Sequence, residues 1–125
     1  MSRANVDVKI AVRDGATQML EAVTEKLFQG QVSSQAKGWG WRVFHDTVAW
    51  RSDAGWLDLL MVRGRRLVVV ELKTVKMRGL CKPKQREWRM AWWEAGRCDG
   101  PYVWDPRCWR QISRVLAPEG VEMLD

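Results

Sequence analysis

Residues 67–73 decide the fold, because the run LVVVELK is apolar on both faces of a strand until it ends in two charges. A strand with one solvated face alternates apolar and polar residues, whereas a continuous apolar run is typical of a strand covered on both sides. Side chains alternate across a strand, so Glu71 and Lys73 share one face and Leu72 points to the other. We therefore predict a central strand whose end presents a carboxylate and an ammonium where the core stops.

A second strand precedes this run and is expected to pair with it. Residues 57–62 read LDLLMV, and residues 63–66, RGRR, make a charged turn that contains a glycine. This pattern predicts a β-hairpin. In a hairpin the beginning of the first strand lies beside the end of the second, so Asp58 is expected to lie close to Glu71 and Lys73.

The residues before the hairpin predict helix and then strand. Helical spacing of apolar residues begins near Asp14, and the glycines within residues 38–40 end it. Thr24 can cap a new helix inside this range, so two helices are as consistent with the pattern as one. Residues 41–45 alternate as a strand does, and residues 1–13 show a weaker alternation that fits an edge strand or an ordered tail.

The residues after the hairpin predict a helix, a strand and a last helix. A basic loop leads to Pro83, which suits the first turn of a helix that Gly96 ends. Residues 102–104 form a short strand, and Asp105 with the proline after it is expected to open a helix that runs to Leu116. The order is helix, three strands, helix, strand, helix, which predicts an α/β fold with helices flanking a central mixed β-sheet.

Length and charge limit the class of protein. A chain of 125 residues, 46% of them hydrophobic, is long enough for one domain and too short for two. The formal charge of +6 favours a polyanionic partner such as nucleic acid, although charge alone does not separate this reading from a protein that is simply basic. The sequence shows neither a run of about 20 apolar residues nor a signal peptide, so we expect a cytoplasmic protein without membrane contact, in the host cytoplasm if it is viral.

The cysteines and tryptophans carry weaker signals. Cys81, Cys98 and Cys108 lack C-x-x-C spacing and the only histidine is His45, so a four-ligand zinc site is not expected and the cysteines are interpreted as reduced. His45 could assist at the site or make a structural hydrogen bond. Nine tryptophans could stack on unpaired bases, but we expect most of them in the core and at its rim.

The chemistry follows from the expected proximity of Asp58 to the end of the central strand. Two carboxylates can share a hard cation such as Mg²⁺, with the backbone carbonyl of Leu72 as a further ligand. A neighbouring lysine can orient or deprotonate an attacking water and face a phosphate. An E-x-K pattern occurs by chance in about one chain in two or three of this length, and Glu71 with Lys73 could also be a solvated strand end or a salt bridge. The preceding apolar run and the facing carboxylate favour the functional reading.

Residues 55–58 (GWLD), 69–74 (VVELKT) and 85–88 (QREW) resemble the PD-(D/E)XK nuclease superfamily, and within it the VRR-NUC domain. This type of domain occurs alone in phage genomes and at the end of larger DNA-repair nucleases. The resemblance covers about residues 24–116 and leaves residues 1–23 as an N-terminal extension of a single nuclease domain over 1–125. It implies a restriction-endonuclease-like fold.

Carried over residue by residue, the resemblance makes Asp58 and Glu71 metal ligands and Lys73 the catalytic lysine. Gln85 matches the catalytic glutamine on the helix after the central strand, and Glu25 matches an acid of the first helix that reaches toward the metal. The sequence departs from the family at residue 57, a leucine where proline is usual, and in a somewhat longer segment between Lys73 and Gln85.

The resemblance implies an endonuclease that hydrolyses DNA phosphodiester bonds with Mg²⁺ or Mn²⁺ and selects branched or junction DNA by structure, as a homodimer. Two alternatives stay open, a non-catalytic nucleic-acid-binding module of the same fold and a protein that docks a protein partner. Cationic side chains in the loops are expected to line the phosphate path; these are Arg51, Lys76, Arg78 and Lys82.

Overall fold

The structure, a computed structural model, describes residues 18–45, 57–79 and 82–120. The predicted order of elements is confirmed in these residues. After a single helical turn at residues 18–21, the chain forms α1 (Glu25–Gly38), β1 (Arg42–His45), β2 (Leu59–Arg63), β3 (Arg66–Leu72), α2 (Pro83–Ala95), β4 (Asp99–Trp104) and α3 (Trp109–Leu116).

The N-terminal helical region contains two segments rather than one. Thr24 caps α1, and its side-chain oxygen accepts a hydrogen bond of 3.1 Å from the backbone N–H of Leu27. The cap separates α1 from the turn at residues 18–21, as the sequence allowed. The alternation within residues 1–13 lies outside the described residues.

The four strands form one mixed sheet in the order β1-β2-β3-β4. β1, β2 and β3 pair antiparallel, and β4 pairs parallel to β3. Arg63 pairs with Arg66, so the predicted hairpin is closed by a two-residue turn. Gly64 takes a φ of 58°, the left-handed conformation that a type II′ turn requires at its first central residue.

The central strand β3 is covered on both faces, as its apolar run predicted. Val68, Val69 and Val70 are fully buried. The face that carries Val68 and Val70 packs against α1 and α3 in the main hydrophobic core, and the opposite face carries Glu71. The main core also includes Phe28, Val32, Ala36, Trp41, Leu59, Met61, Leu72, Trp104, Ile112 and Leu116.

A hydrogen-bonded contact at the end of α3 joins the helix to the hairpin. The carbonyl oxygen of Leu116 accepts bonds from Trp41 Nε1 at 2.7 Å and from Arg63 at 3.0 Å. The Arg63 guanidinium also lies 4.7 Å from the centre of the Trp41 ring. The contact satisfies a backbone carbonyl that the helix end leaves without an intrahelical partner.

A register shift separates the two halves of the parallel pair. Val68 pairs with Asp99, whereas Val70 pairs with Tyr102, so β4 carries one extra residue between the two pairs. Gly100 lies in this bulge with a φ of 104°. A Cβ atom at Gly100 would meet the backbone nitrogen of Tyr102 at 2.6 Å and the carbonyl oxygen of Val69 at 2.9 Å.

We expect Gly100→Ala to lower the free energy of unfolding by about 2 kcal/mol or more, because both clashes are with backbone and the conformation disfavours any side chain. Gly79→Ala is the matched control, since a Cβ there meets no heavy atom within 4 Å among the described residues. Urea unfolding followed by circular dichroism measures both variants. Equal stability of the two variants would contradict the assigned bulge.

The prediction that Asp105 opens the last helix is wrong. α3 begins at Trp109, and Asp105 instead closes a turn in which its carbonyl oxygen accepts from the backbone N–H of Cys108 at 2.9 Å. Its buried carboxylate accepts bonds from Arg107 and from Arg78. Its Oδ1 atom accepts from the backbone N–H of Arg107 at 2.8 Å, so Asp105 caps the turn at residues 105–108 rather than α3.

The described tryptophans mostly lie in the core or at its rim, as expected. Trp41 and Trp104 are buried, and Trp93 on α2 is 69% exposed. The remaining described tryptophans are half-buried; they are Trp39, Trp88, Trp92 and Trp109.

The cysteines and the length of the helices are described for residues 18–45, 57–79 and 82–120. Cys98 and Cys108 are half-buried free thiols, and Cys81 lies outside the described residues. None of the helices in these ranges is both long enough and apolar enough to cross a membrane.

Candidate active site

Asp58 lies directly before β2 and is held against the end of β3. Its backbone N–H donates to the carbonyl oxygen of Val70 at 3.1 Å. Its carboxylate accepts a bond of 2.7 Å from the backbone N–H of Leu72. The hairpin therefore brings Asp58 to the strand end that carries Glu71 and Lys73, as the sequence predicted.

The environment of Asp58 raises the pKa of its carboxyl to about 6. Burial is the main cause, and the hydrogen bond from Leu72 opposes it. The negative charges of Glu25 and Glu71 raise this pKa further, while the ammonium of Lys73 lowers it. Glu25, the first residue of α1, is thus close enough to Asp58 to interact with it electrostatically, which agrees with its predicted location.

Glu71 carries a buried carboxylate at the end of β3, with a side chain only 1% exposed. Neither of its oxygens accepts a hydrogen bond from any residue that the structure describes. Two cations lie at longer range, Lys73 Nζ at 3.9 Å and an Arg89 guanidinium nitrogen at 3.5 Å. Buried polar atoms almost always have hydrogen-bond partners. The two unpartnered oxygens of Glu71 therefore suggest that this carboxylate binds a ligand.

Lys73 is held by the helix that follows it. The ammonium donates to Gln85 Oε1 at 2.9 Å, and the backbone N–H of Lys73 donates to the carbonyl oxygen of Trp104 at 2.8 Å. The same Gln85 oxygen accepts from the backbone N–H of Lys82 at 3.3 Å, at the start of α2. Gln85 therefore connects the first turn of α2 to the lysine, and its location beside Lys73 matches the prediction from the sequence.

Sequence reasoning missed Arg89, which approaches Glu71 from α2. Its side chain is 29% exposed, so the guanidinium lies between the buried carboxylate and the solvent. The available signal was the spacing, since residues four apart lie on the same face of a helix and Arg89 is four residues after Gln85.

Of the four cationic loop residues, Arg78 has defined partners in the structure. Arg78 bonds the carboxylate of Asp105 at 3.1 Å and the Sγ atom of Cys108 at 3.2 Å, which fixes the loop after β3 against the turn before α3. Lys76 and Lys82 are exposed, and Arg51 lies outside the described residues. Phosphate contact by these four side chains stays a prediction.

His45 ends β1 and is exposed. It pairs with Leu59, the residue after Asp58, so it lies at the same end of the sheet as the carboxylates. His45 shares the sheet face of Leu59 and Val70, opposite to the face that carries Glu71, so a role for it at the site stays a prediction.

The residues present suit a hard divalent cation. Both oxygens of Glu71 lack hydrogen-bond donors among the described residues. The charge of Glu71 also contributes to the raised pKa of Asp58, of which burial is the main cause, so the two carboxylates interact. No group of three or more histidine, cysteine or acidic side chains forms a metal cluster within the described ranges. Mg²⁺ needs only one or two carboxylates because it keeps several waters. Asp58, Glu71 and the Leu72 carbonyl stay predicted ligands.

We expect Asp58→Asn to stabilise the metal-free protein at pH 7.5 but not at pH 3.5. The pKa of Asp58 is about 6 in the folded protein, compared with the usual 3.8. Between these pH values the folded protein binds more protons than the unfolded protein, so the free energy of unfolding falls as pH rises. Well above pH 6 the Asp58 carboxyl is ionised in the folded protein, and its ionisation then costs up to about 3 kcal/mol of the free energy of unfolding. Asparagine removes this cost. Urea unfolding in EDTA measures the difference. Glu87→Gln, which replaces an exposed carboxylate on α2, should keep the wild-type dependence of the free energy of unfolding on pH. If Asp58→Asn also kept that dependence, the burial assigned to Asp58 would be refuted.

No family model, curated protein or solved structure matches the chain.

Proposed function

We propose that this protein is a metal-dependent endonuclease that hydrolyses DNA phosphodiester bonds. The observation that carries the proposal is the carboxylate of Glu71, buried without a hydrogen bond from any described residue and bordered by Asp58, Lys73 and Arg89. Lys73 and Arg89 offset the charge of this carboxylate, but its buried oxygens still lack the close partners that a bound metal ion would supply. A strand end that combines two carboxylates with a fixed lysine has the groups that phosphodiester hydrolysis requires.

The fold supports the same proposal. We infer a restriction-endonuclease-like arrangement of the VRR-NUC type in the PD-(D/E)XK superfamily. Its support is the order of elements, the mixed four-stranded sheet and the motif residues at the end of β3. The resemblance of residues 55–58, 69–74 and 85–88 to that superfamily rests on sequence alone.

Each residue of the site has a role in the proposed reaction. Asp58 and Glu71 would hold Mg²⁺ or Mn²⁺, with Glu25 and the Leu72 carbonyl as further candidates. The bound ion would lower the pKa of a water and neutralise charge on the phosphoryl group. Lys73 would orient or deprotonate the attacking water, and Gln85 holds its ammonium in place.

Charge around the site favours a polyanionic substrate. The chain carries a formal charge of +6, and both Lys73 and Arg89 lie beside Glu71. Cationic groups beside the reacting phosphate can stabilise the negative charge that builds on its oxygens during hydrolysis. We infer selection of branched or junction DNA by structure, as the resemblance to the VRR-NUC domain implies. A homodimer with two-fold symmetry would present one site to each strand, and we infer that it acts in the cytoplasm.

The test is cleavage of labelled single-stranded, duplex, flap and four-way-junction DNA with Mg²⁺, Mn²⁺ or EDTA. We expect cutting in either metal, none in EDTA, and a preference for the junction. Asp58→Asn should abolish cutting, whereas Glu87→Gln, an exposed acid of α2, should cut at the wild-type rate. Binding that persists in EDTA, without cleavage in any metal, would replace the proposal with a non-catalytic nucleic-acid-binding module. Equal cutting by Asp58→Asn would mean that the site is misplaced.

A further inference from the structure

A polar groove runs along α1 on the side of the helix next to His45 of β1, the edge strand of the sheet. It encloses about 630 Å³. We name it the α1 groove and define it by the residues that line it and enter the argument, Lys26, Gln29, Gly30, Ser33, Lys37 and His45.

The α1 groove has the charge of an anion-binding surface. Lys26 and Lys37 contribute two ammonium groups, and among the described residues that line the groove none is acidic. Amide and imidazole groups are available from Gln29 and His45 for hydrogen bonds to oxygen atoms. Ser33 adds a buried hydroxyl, whose Oγ atom has no hydrogen-bond partner among the described residues.

The shape of the α1 groove fits an extended chain rather than a compact ligand. Its helical residues recur at three- and four-residue steps from Lys26 to Lys37, which places them on one face along about 16 Å of helix. This length is several times the rise of about 3.4 Å per phosphate along the axis of duplex DNA, so the groove is long enough for more than one phosphate. At its middle lies Gly30, where an added Cβ would meet no heavy atom of the described residues within 4 Å, and a backbone could approach the helix closely.

One end of the α1 groove borders the candidate active site. His45 pairs with Leu59, the residue that follows Asp58. Lys26 follows Glu25, whose charge acts on the Asp58 carboxylate. A strand bound along the groove would therefore continue toward the carboxylates at the end of β3.

We propose that the α1 groove binds the phosphodiester backbone of the nucleic acid on which the candidate active site acts. This inference rests on the proposed nuclease function. It adds a surface that contacts the substrate at a distance from the bond that is cleaved. Contacts of this kind position a nucleic acid without reading its sequence.

The first test uses Gly30, where a side chain can enter the α1 groove without a clash. Binding of a fluorescein-labelled DNA duplex is measured by fluorescence anisotropy in EDTA. We expect Gly30→Glu to raise Kd about tenfold or more relative to Gly30→Gln, because a carboxylate facing phosphates is strongly repelled. Both variants replace a helical glycine with a better helix former, so thermal unfolding should show equal or higher stability. Equal Kd values for the two variants would overturn the proposal.

The second test uses the salt dependence of the same binding. Each of Lys26→Gln and Lys37→Gln should lower the slope of log Kd against log salt by about 0.9, the value expected for one lost phosphate contact. Lys84→Gln, an exposed lysine of α2 that pairs with Glu87, should leave the slope unchanged. A slope that falls as much for the Lys84 variant as for the two groove variants would overturn the proposal.

Because binding is measured in EDTA, this result does not depend on turnover. If the groove variants bind DNA more weakly while no metal supports cleavage by the wild type, the nuclease proposal fails and the proposed role of the α1 groove in DNA binding is supported. If the protein cuts DNA and the groove variants bind normally, the groove proposal alone fails.

Discussion

Glu71→Gln is expected to abolish metal-dependent DNA cleavage, with a loss on the order of 10³-fold in the single-turnover rate. The substitution keeps the shape of a buried side chain but removes the charge that would hold the cation. A bound divalent ion contributes several kcal/mol of charge stabilisation to phosphoryl chemistry, and each 1.36 kcal/mol corresponds to a factor of about ten in rate.

A binding measurement makes this prediction specific to the metal. Mn²⁺ should raise the melting temperature of the wild type, because a ligand that binds only the folded state stabilises it. The same addition should leave the melting temperature of Glu71→Gln almost unchanged. Glu87→Gln, whose side chain is 67% exposed, should retain both the rate and the thermal shift. Full activity of Glu71→Gln in Mg²⁺ would exclude this carboxylate as a ligand.

Lys73→Met is expected to lower the cleavage rate by about 10²–10⁴-fold, the range that general acid–base groups contribute. Methionine preserves much of the apolar stem of this side chain, which is 10% exposed, but it removes the ammonium. Lys73→Arg should not restore the rate, because a planar guanidinium cannot replace a compact ammonium that is held by Gln85 at 2.9 Å.

The thermal shift separates the lysine from the carboxylate. Lys73→Met should still be stabilised by Mn²⁺, since the proposed ligands are intact, whereas Glu71→Gln should not be. Lys84→Met provides the matched control, because Lys84 is an exposed lysine of α2 outside the site. If Lys73→Met loses the thermal shift together with the rate, Lys73 acts by maintaining the metal site rather than in the chemical step.

The hairpin and the site residues on it could be predicted from the sequence because local signals agree there. An apolar run, a charged turn with glycine and a carboxylate near the start of the preceding strand together determine which strand ends meet. The contacts of Asp58 with Val70 and Leu72 follow from that pairing. The position of Gln85 beside Lys73 could be expected only from the resemblance, since the two residues belong to different elements.

The features that the sequence did not predict depend on contacts between distant segments. Arg89 reaches Glu71 only because α2 packs over that face of the sheet. Asp105 has the sequence pattern of a helix cap, but its carboxylate caps a turn that ends before α3 and also binds Arg78 from another loop. The α1 groove depends on how α1 lies relative to His45 at the end of β1, a spacing that no local pattern specifies.

The extra residue in β4 determines which side chains enter the core. With the bulge, Tyr102 and Trp104 align with Val70 and Leu72 on the core face. Because side chains alternate along a strand, removing one residue at the bulge would turn both aromatic rings to the opposite face. The number of residues between Asp99 and Trp104 is therefore constrained, in addition to the glycine at position 100. Natural variation in this strand should consist of substitutions, and single-residue insertions or deletions should be absent from it.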